Sequence, residues 1–87
     1  MNKARRKALA KARESLESLL SALDEVKSSA EEVKDEEQEA YDNAPEGLKN
    51  EDSEAALEAL ENLISSLEDA DGSISEAIDY LDEAVGG

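Results

Sequence analysis

The chain has 87 residues, of which 24 are Asp or Glu and 9 are Lys or Arg, so its formal net charge is −15 at pH 7. It contains no Cys and no His, which excludes disulfides, thiolate zinc sites and catalysis that depends on a histidine base. A chain of this length forms one domain at most, and its stability has to come from helix packing or from a partner chain.

Membrane insertion and secretion are not expected. No apolar run approaches the roughly 20 residues that cross a bilayer. The first residues, MNKARRKALAKARESL, are basic but lack the apolar segment of a signal peptide. We therefore expect a cytoplasmic protein that makes no membrane contact.

The charge is unevenly distributed along the chain. Residues 1–13, the basic head, carry six basic side chains and no acid, whereas residues 14–87 carry all 24 carboxylates and three lysines, a net charge of −21. Low hydrophobicity with high charge is also typical of disordered chains. The regular spacing of the apolar residues argues against disorder.

The first half of the chain has apolar residues at alternating spacings of three and four, the pattern of an amphipathic helix with an a/d seam. The pattern predicts helix 1 over about residues 3–42. Its predicted seam is Leu9, Ala12, Leu16, Leu19, Leu23, Val26, Ala30, Val33, the polar Glu37, and Ala40.

A hinge is predicted over about residues 43–52, within and after the string AYDNAPEGL. Pro45 disfavours helical geometry at Ala44, and Gly47 permits a positive φ. Asn50, Asp52 or Ser53 then offers a side-chain cap for the second helix.

The second half repeats the alternating spacing and predicts helix 2 over about residues 53–85. Its predicted seam is Leu57, Leu60, Ile64, Leu67, the polar Asp71, Ile74, Ile78, Leu81 and Val85. Pairing the two seams so that facing residue numbers add up to 94 places the midpoint at Gly47, in the hinge. Residues 1–87 are therefore predicted to be a single all-α domain, a long antiparallel αα-hairpin of the coiled-coil type.

Further apolar positions make both seams wider than one partner helix can cover. These positions are Leu20, Leu63 and the alanines 56, 70, 77 and 84. We expect a homodimer that forms a four-helix bundle. The alternative is a monomer that completes its core on another protein.

The string DADGSISEAI resembles part of an EF-hand calcium loop. If Gly72 is aligned with the glycine of that loop, Leu67 and Ile78 occupy the positions of the first and last carboxylate ligands. Because these two ligands are missing, a continuous helix is favoured over a calcium loop. In that helix Asp71 is a polar seam residue, and Lys27 is its expected counter-charge.

No catalytic motif is present. The chain lacks a nucleophile next to a base and a glycine-rich phosphate loop, and its clustered acids have no concave pocket to desolvate them. We therefore expect no enzyme activity, no cofactor and no metal site.

The acidic body also argues against direct nucleic-acid binding. The basic head is expected to neutralise the end of helix 2 instead. In this prediction Lys7, Lys11 and Arg13 lie close to Glu76, Asp79, Asp82 and Glu83.

The string EEQEAYDNAPEGL, followed by the helical stretch EAALEALENLISSLEDADGSISEAIDYLDEA, resembles small acidic helical proteins of phages and prophages of Gram-positive bacteria. They share an A-Y/F-D-N-x-P-E-x-L turn and repeated E-A-x-x-x-L-E units. The resemblance covers about residues 36–84. It implies a phage context, with the host cell cytoplasm as location, but no site residues.

In that context an acidic rod about 20 Å across could imitate the charges of a nucleic acid. We expect an anti-defence inhibitor, anti-CRISPR or anti-restriction, that binds a host nucleic-acid-binding protein. The alternative is a structural or adaptor coiled-coil protein in phage assembly or regulation. The predicted partner-binding residues, hereafter the acidic cluster, are Glu31, Glu32, Asp35, Glu36, Glu39 and Asp42.

Overall fold

The computed structural model describes residues 1–49 and 51–86. Two helices, α1 (Lys3–Asn43) and α2 (Glu51–Gly86), are joined by a 3₁₀ turn over Glu46–Leu48. Contacts between residues 13 and 82 and between residues 41 and 54 show that the helices run antiparallel. The all-α hairpin predicted from the sequence is confirmed.

The hairpin is a thin rod. Its Cα atoms extend over 68 × 15 × 14 Å with a radius of gyration of 19.6 Å, whereas a compact domain of this length has a radius of about 12 Å. Among the described residues, only Ala30 and Ile78 are buried, at 6% and 9% exposure. Two helices alone therefore enclose very little core.

Local signals explain where α1 begins and ends. The Asn2 side chain accepts a hydrogen bond from the Arg5 backbone N–H at 2.9 Å, which caps the first turn. At the other end Ala44 adopts the extended conformation that a residue before proline prefers, with φ −73° and ψ 142°. Pro45 then prevents the helix from continuing.

The turn differs from its prediction in two respects. Gly47 lies in the 3₁₀ turn and has no positive φ, so the conformational freedom of glycine is not used there. Asp52 and Ser53 lie inside the first turn of α2 and do not precede it, because α2 begins at Glu51. The predicted cap at Asn50 lies outside the described residues.

The register agrees with the sequence to within one residue. Arg13 contacts Asp82, Lys27 contacts Glu68, Lys34 contacts Glu61 and Tyr41 contacts Glu54. In each of these four pairs the residue numbers add up to 95, against the predicted 94 for seam residues. A hairpin displaced by one heptad would change this value by seven.

One half of the predicted α1 seam is wrong. Leu9, Leu16, Leu23, Ala30 and Glu37 are buried or half-buried as predicted, but Ala12, Leu19, Val26, Val33 and Ala40 are exposed. Their places at the α2 contact are taken by Arg13, Leu20, Lys27, Lys34 and Tyr41. The reason is that long cationic and phenolic side chains lay their apolar stems along the seam and place their polar ends on acids of α2.

The α2 seam matches its prediction except at Asp71. The apolar seam residues are all buried or half-buried, and the helix continues through Gly72 as predicted. Asp71 is exposed, because a carboxylate loses hydration in an apolar seam. Lys27, its expected counter-charge, contacts Glu68 at 3.3 Å and Glu31 at 3.8 Å instead.

Candidate protein-binding surfaces

One long side of the hairpin, the ion-pair edge, consists of the four cross-helix contacts 13–82, 27–68, 34–61 and 41–54. Arg13 Nε lies 2.9 Å from Asp82 Oδ1, and Lys34 Nζ lies 3.2 Å from Glu61 Oε1. Successive contacts follow one another at heptad spacing, except that the apolar Leu20 stands between Arg13 and Lys27. The edge therefore joins the helices along almost their whole length.

The electrostatics of this edge are those of exposed pairs. The hydrogen bond to Asp82 raises the pKa of Arg13, and the same bond lowers the pKa of Asp82. The hydrogen bond to Glu68 raises the pKa of Lys27. Because water reaches all of these side chains, each pair stabilises the hairpin only weakly, and their common register is their main effect.

The hinge end carries a polar group that the sequence alone did not indicate. Tyr41 donates its hydroxyl to Glu54 Oε1 at 2.6 Å, which raises the pKa of the phenol. The Lys49 ammonium lies 5.3 Å from the centroid of the Tyr41 ring and 3.3 Å from Glu46 Oε1. The sequence could have indicated this contact, because Tyr41 follows Lys34 at the seven-residue spacing of the ion-pair edge.

The acidic cluster lies on the outer surface of α1, towards the hinge. All six side chains are exposed, and at 1.5 Å per residue they extend over roughly 17 Å of helix. Glu31 lies 3.8 Å from Lys27, and Asp42 accepts a hydrogen bond from Gln38 at 2.9 Å. Within the described residues no ion pair involves the other four. All six lie on the half of α1 next to the hinge, and their role in binding a partner stays a prediction.

Negative charge is concentrated in the hinge half of the rod. Residues 27–69, the hinge half, contain fifteen carboxylates and three lysines, a net charge of −12. Residues 1–26 and 70–87, the terminal half, contain nine carboxylates and six basic side chains, a net charge of −3. The two ends of the rod are therefore electrically unlike.

The basic head is neutralised only in part. Arg13 forms ion pairs with Asp82 and with Glu17. Within the described part of the chain, no ion pair involves Lys7 or Lys11, nor do Glu76, Asp79 and Glu83 take part in one. The prediction for Lys7 and Lys11 is therefore wrong, because their heptad positions lie away from α2.

Opposite the ion-pair edge lies an apolar face. It combines one heptad column of each helix, namely residues 12, 19, 26, 33 and 40 of α1 and residues 56, 63, 70, 77 and 84 of α2. All ten residues are Ala, Val or Leu. Leu19, Val26, Val33 and Leu63 keep 50%, 48%, 50% and 42% of their surface in water.

Helical geometry places both columns on the same side. At 100° per residue the α1 column lies about 80° from the direction of α2, and the α2 column lies about 90° from the direction of α1. Both rotations lead away from the ion-pair edge. In two antiparallel helices, the angles of successive residues, measured from the direction of the partner helix, increase towards the same side of the hairpin.

Small uncharged residues border the apolar face. They are Ala8, Ser15, Ala22 and Ser29 on α1, and Ala59, Ser66 and Ser73 on α2. Tyr80 continues the α2 border and is 63% exposed. Glu36 and Asp52 are the carboxylates at these border positions, both near the hinge. One side of the rod is therefore almost free of charge.

The described residues include no group of three or more His, Cys, Asp or Glu side chains arranged to hold a metal ion. Neither helix, over its described residues, has an apolar stretch long enough to cross a membrane.

Comparison of the chain with models of protein families, with curated protein sequences and with solved structures gave no match.

Proposed function

We propose that the chain is a non-enzymatic inhibitor that binds a basic nucleic-acid-binding groove of another protein through its acidic rod. The resemblance to phage proteins favours an anti-defence role, anti-CRISPR or anti-restriction, as the form of this inhibition. The observation that carries the proposal is the net charge of −12 on the hinge half, most of whose carboxylates point into water.

The charge density supports imitation of a nucleic acid. The hinge half occupies half of a 68 Å rod, so it presents roughly one net negative charge per 3 Å. A single nucleic-acid strand carries one charge per about 3.4 Å, and duplex DNA carries one per about 1.7 Å. A groove that neutralises phosphates at such spacings can also neutralise these carboxylates.

The acidic cluster is the part of this surface best suited to the role. Five of its six side chains have no ion-pair partner within the described residues, so their binding a cation does not require an internal ion pair to break. Each exposed contact is weak on its own. Recognition therefore has to depend on several carboxylates acting together.

The test removes the cluster's charge without changing its shape. A quadruple variant, E31Q/E32Q/D35N/E36Q, is compared with a control that removes four charges from the terminal half, D71N/E76Q/D79N/E83Q. We expect the first variant to lose capture of a nucleic-acid-binding protein from host lysate, and the control to retain most of it. Wild-type capture should weaken steeply as salt rises to physiological levels.

The captured protein then decides the mechanism. If the two ligands compete for one surface, the purified partner should stop binding its own DNA or RNA while this chain is attached. A partner that binds its nucleic acid equally well in the complex, or whose affinity does not change with salt or with the cluster variant, would refute imitation.

The second candidate function is a structural or adaptor coiled-coil protein. The apolar face favours it, because an acidic mimic has no need for exposed Leu19, Val26 and Val33. An adaptor of this kind should bind an assembly component, keep its affinity at high salt, and lose it when these apolar residues are made polar.

A further inference from the structure

We propose that two copies of the chain pack through their apolar faces into an antiparallel dimer. Its two-fold axis lies in the plane of the interface, perpendicular to the rod, and passes between the two copies of Val26 and between the two copies of Ala70. The product is a four-helix bundle in which α1 lies beside the partner's α1 and α2 lies beside the partner's α2. This inference is independent of the inhibitor role proposed above.

The exposed area of the hairpin is that of an incomplete core. The chain exposes 6316 Å², whereas a compact monomer of 9.4 kDa exposes roughly 5,000 Å². The excess is more than the roughly 800 Å² that each partner buries in a standard interface. Together with a core of two buried residues, it indicates that this hairpin is one half of a larger folded unit.

The apolar face is complementary to itself in this arrangement. In α1 the column reads Ala, Leu, Val, Val, Ala, so reversing it about Val26 places Leu19 opposite Val33 of the second copy. In α2 the column reads Ala, Leu, Ala, Ala, Ala, so reversing it about Ala70 places Leu63 opposite Ala77. Large residues meet smaller ones, and the outermost layers contain only alanine, which allows close packing of the helices.

Both reversals share one axis. Val26 and Ala70 lie at the same height in the hairpin, since their numbers add up to 96, close to the 95 of the observed cross-helix pairs. A single two-fold axis therefore satisfies both helices, as an isologous interface requires.

The charge distribution selects the antiparallel orientation over the parallel one. With the hinges at opposite ends, each hinge half of −12 lies beside a terminal half of −3. With the hinges at the same end, two halves of −12 would lie side by side. Like charges at close range oppose association, so the antiparallel dimer is the less repulsive of the two.

The dimer leaves the remaining surface free. The ion-pair edge lies on the far side of each hairpin from the apolar face, and five of the six acidic-cluster residues point away from it. Glu36 lies at its border. The central part of the interface contains no carboxylate, and the carboxylates nearest to it, Glu36, Glu37 and Asp52, all lie towards the hinge.

The first test measures mass in solution with the full-length chain. Sedimentation equilibrium at tens of micromolar should give about 18.8 kDa, twice the 9.4 kDa of the chain. Val26→Glu, which brings two carboxylates together at the axis, should halve the mass or unfold the protein. Ser28→Glu, the matched control on the outer surface of α1, should leave the mass unchanged. A monomeric wild type, or a V26E variant that stays dimeric, would overturn the proposal.

The second test measures orientation. A single cysteine at Val26→Cys should form an intermolecular disulfide on oxidation, because this residue meets its own copy only at a perpendicular two-fold axis. Ser28→Cys should not. Spin labels at Glu46→Cys should lie at a distance close to the 68 Å length of the rod. A distance of about 20 Å would show a parallel dimer, and either this distance or an unlinked V26C variant would refute the proposed axis.

Discussion

The ion-pair edge and the apolar face follow opposite sides of the same hairpin, and they differ in whether the chain itself provides their partners. Along the edge, Arg13, Lys27, Lys34 and Tyr41 each contact an acid of α2. Along the face, Leu19, Val26 and Val33 have no covering residue and remain about half exposed. The two sides use the same seven-residue spacing for different purposes.

The difference shows how a slender protein can divide its interactions. Exposed ion pairs contribute little free energy and form only where the geometry brings the two side chains together. Apolar surface gives more free energy per area but is not directional. In this chain the ion pairs follow the register that the turn sets, and much of the apolar surface is left exposed.

The largest expected effect comes from removing the apolar packing between the helices. Ile78 is the larger of the two buried residues, so Ile78→Ala should destabilise the hairpin by about 2–5 kcal/mol. For a domain with so small a core, thermal unfolding followed by circular dichroism should then begin near room temperature.

Leu63→Ala on the apolar face is the control that sharpens the comparison. If a second copy covers this face, the variant should lose stability at high protein concentration, and the loss should shrink on dilution. A loss that is equal at all concentrations would show that Leu63 contributes only within its own chain. An Ile78→Ala variant as stable as the wild type would contradict the observed core.

A smaller effect is expected at the end of the ion-pair edge. The hydrogen bond from Arg13 lowers the pKa of Asp82 below its ordinary value of 3.8. The pair therefore stabilises the hairpin fully above that value, and its contribution is lost as pH falls through the lowered pKa. Arg13→Met should remove this part of the acid dependence while keeping an apolar stem on the seam.

The measurement is chemical denaturation of wild type, R13M, D82N and the double variant between pH 2 and pH 7 at low salt. The two single changes should not be additive if the side chains interact. Additive effects, or an acid dependence that R13M leaves unaltered, would show that the contact contributes nothing in solution.

The smallest expected effect concerns the hinge end of the edge. The hydrogen bond to Glu54 raises the pKa of Tyr41 above its ordinary value of 10.0. Its contribution is therefore present at neutral pH and is lost as pH rises through the raised pKa. Tyr41→Phe should lower the melting temperature slightly at pH 7 and reduce the loss of stability above pH 10.

Tyr80→Phe is the matched control, because Tyr80 is 63% exposed on the other helix. It should leave the alkaline profile unchanged. Identical profiles for the two variants would show that the hydrogen bond between Tyr41 and Glu54 has no effect on stability.

The sequence predicts the hairpin well because the signals for it are local. Pro45 ends α1, the apolar spacing defines α2 through Gly72, and the requirement of constant pair sums gives the register. The face that α1 turns to its partner is not local information. Its sequence has two adjacent apolar columns, but only one of them lies in the seam, and the other half of the seam is the mainly cationic column whose side chains meet acids of α2.

Charge pairing was the signal that would have resolved the seam of α1. Arg13 with Asp82, Lys27 with Glu68 and Lys34 with Glu61 all have the same residue sum, which the sequence alone displays. The apolar spacing predicted Val26 at the seam and Lys27 beside it, whereas the structure has the opposite arrangement. The acidic cluster was predicted to be exposed and is, because nothing in a two-helix rod can bury it.

The periodic ion-pair edge has a kinetic consequence for folding. If α2 slipped by one heptad, so that pair sums became 88, Lys27 would lie opposite Glu61 and Lys34 opposite Glu54. Two of the three ion pairs between the helices would be replaced by new ion pairs with other acids. The ion-pair edge alone therefore favours the correct register over the slipped one only weakly. The turn has to correct it, because the slip requires the last turn of α1 to unwind ahead of Pro45. Early hairpins should therefore form in more than one register, and a displaced hairpin has to slide one helix along the other until α1 is helical up to Asn43.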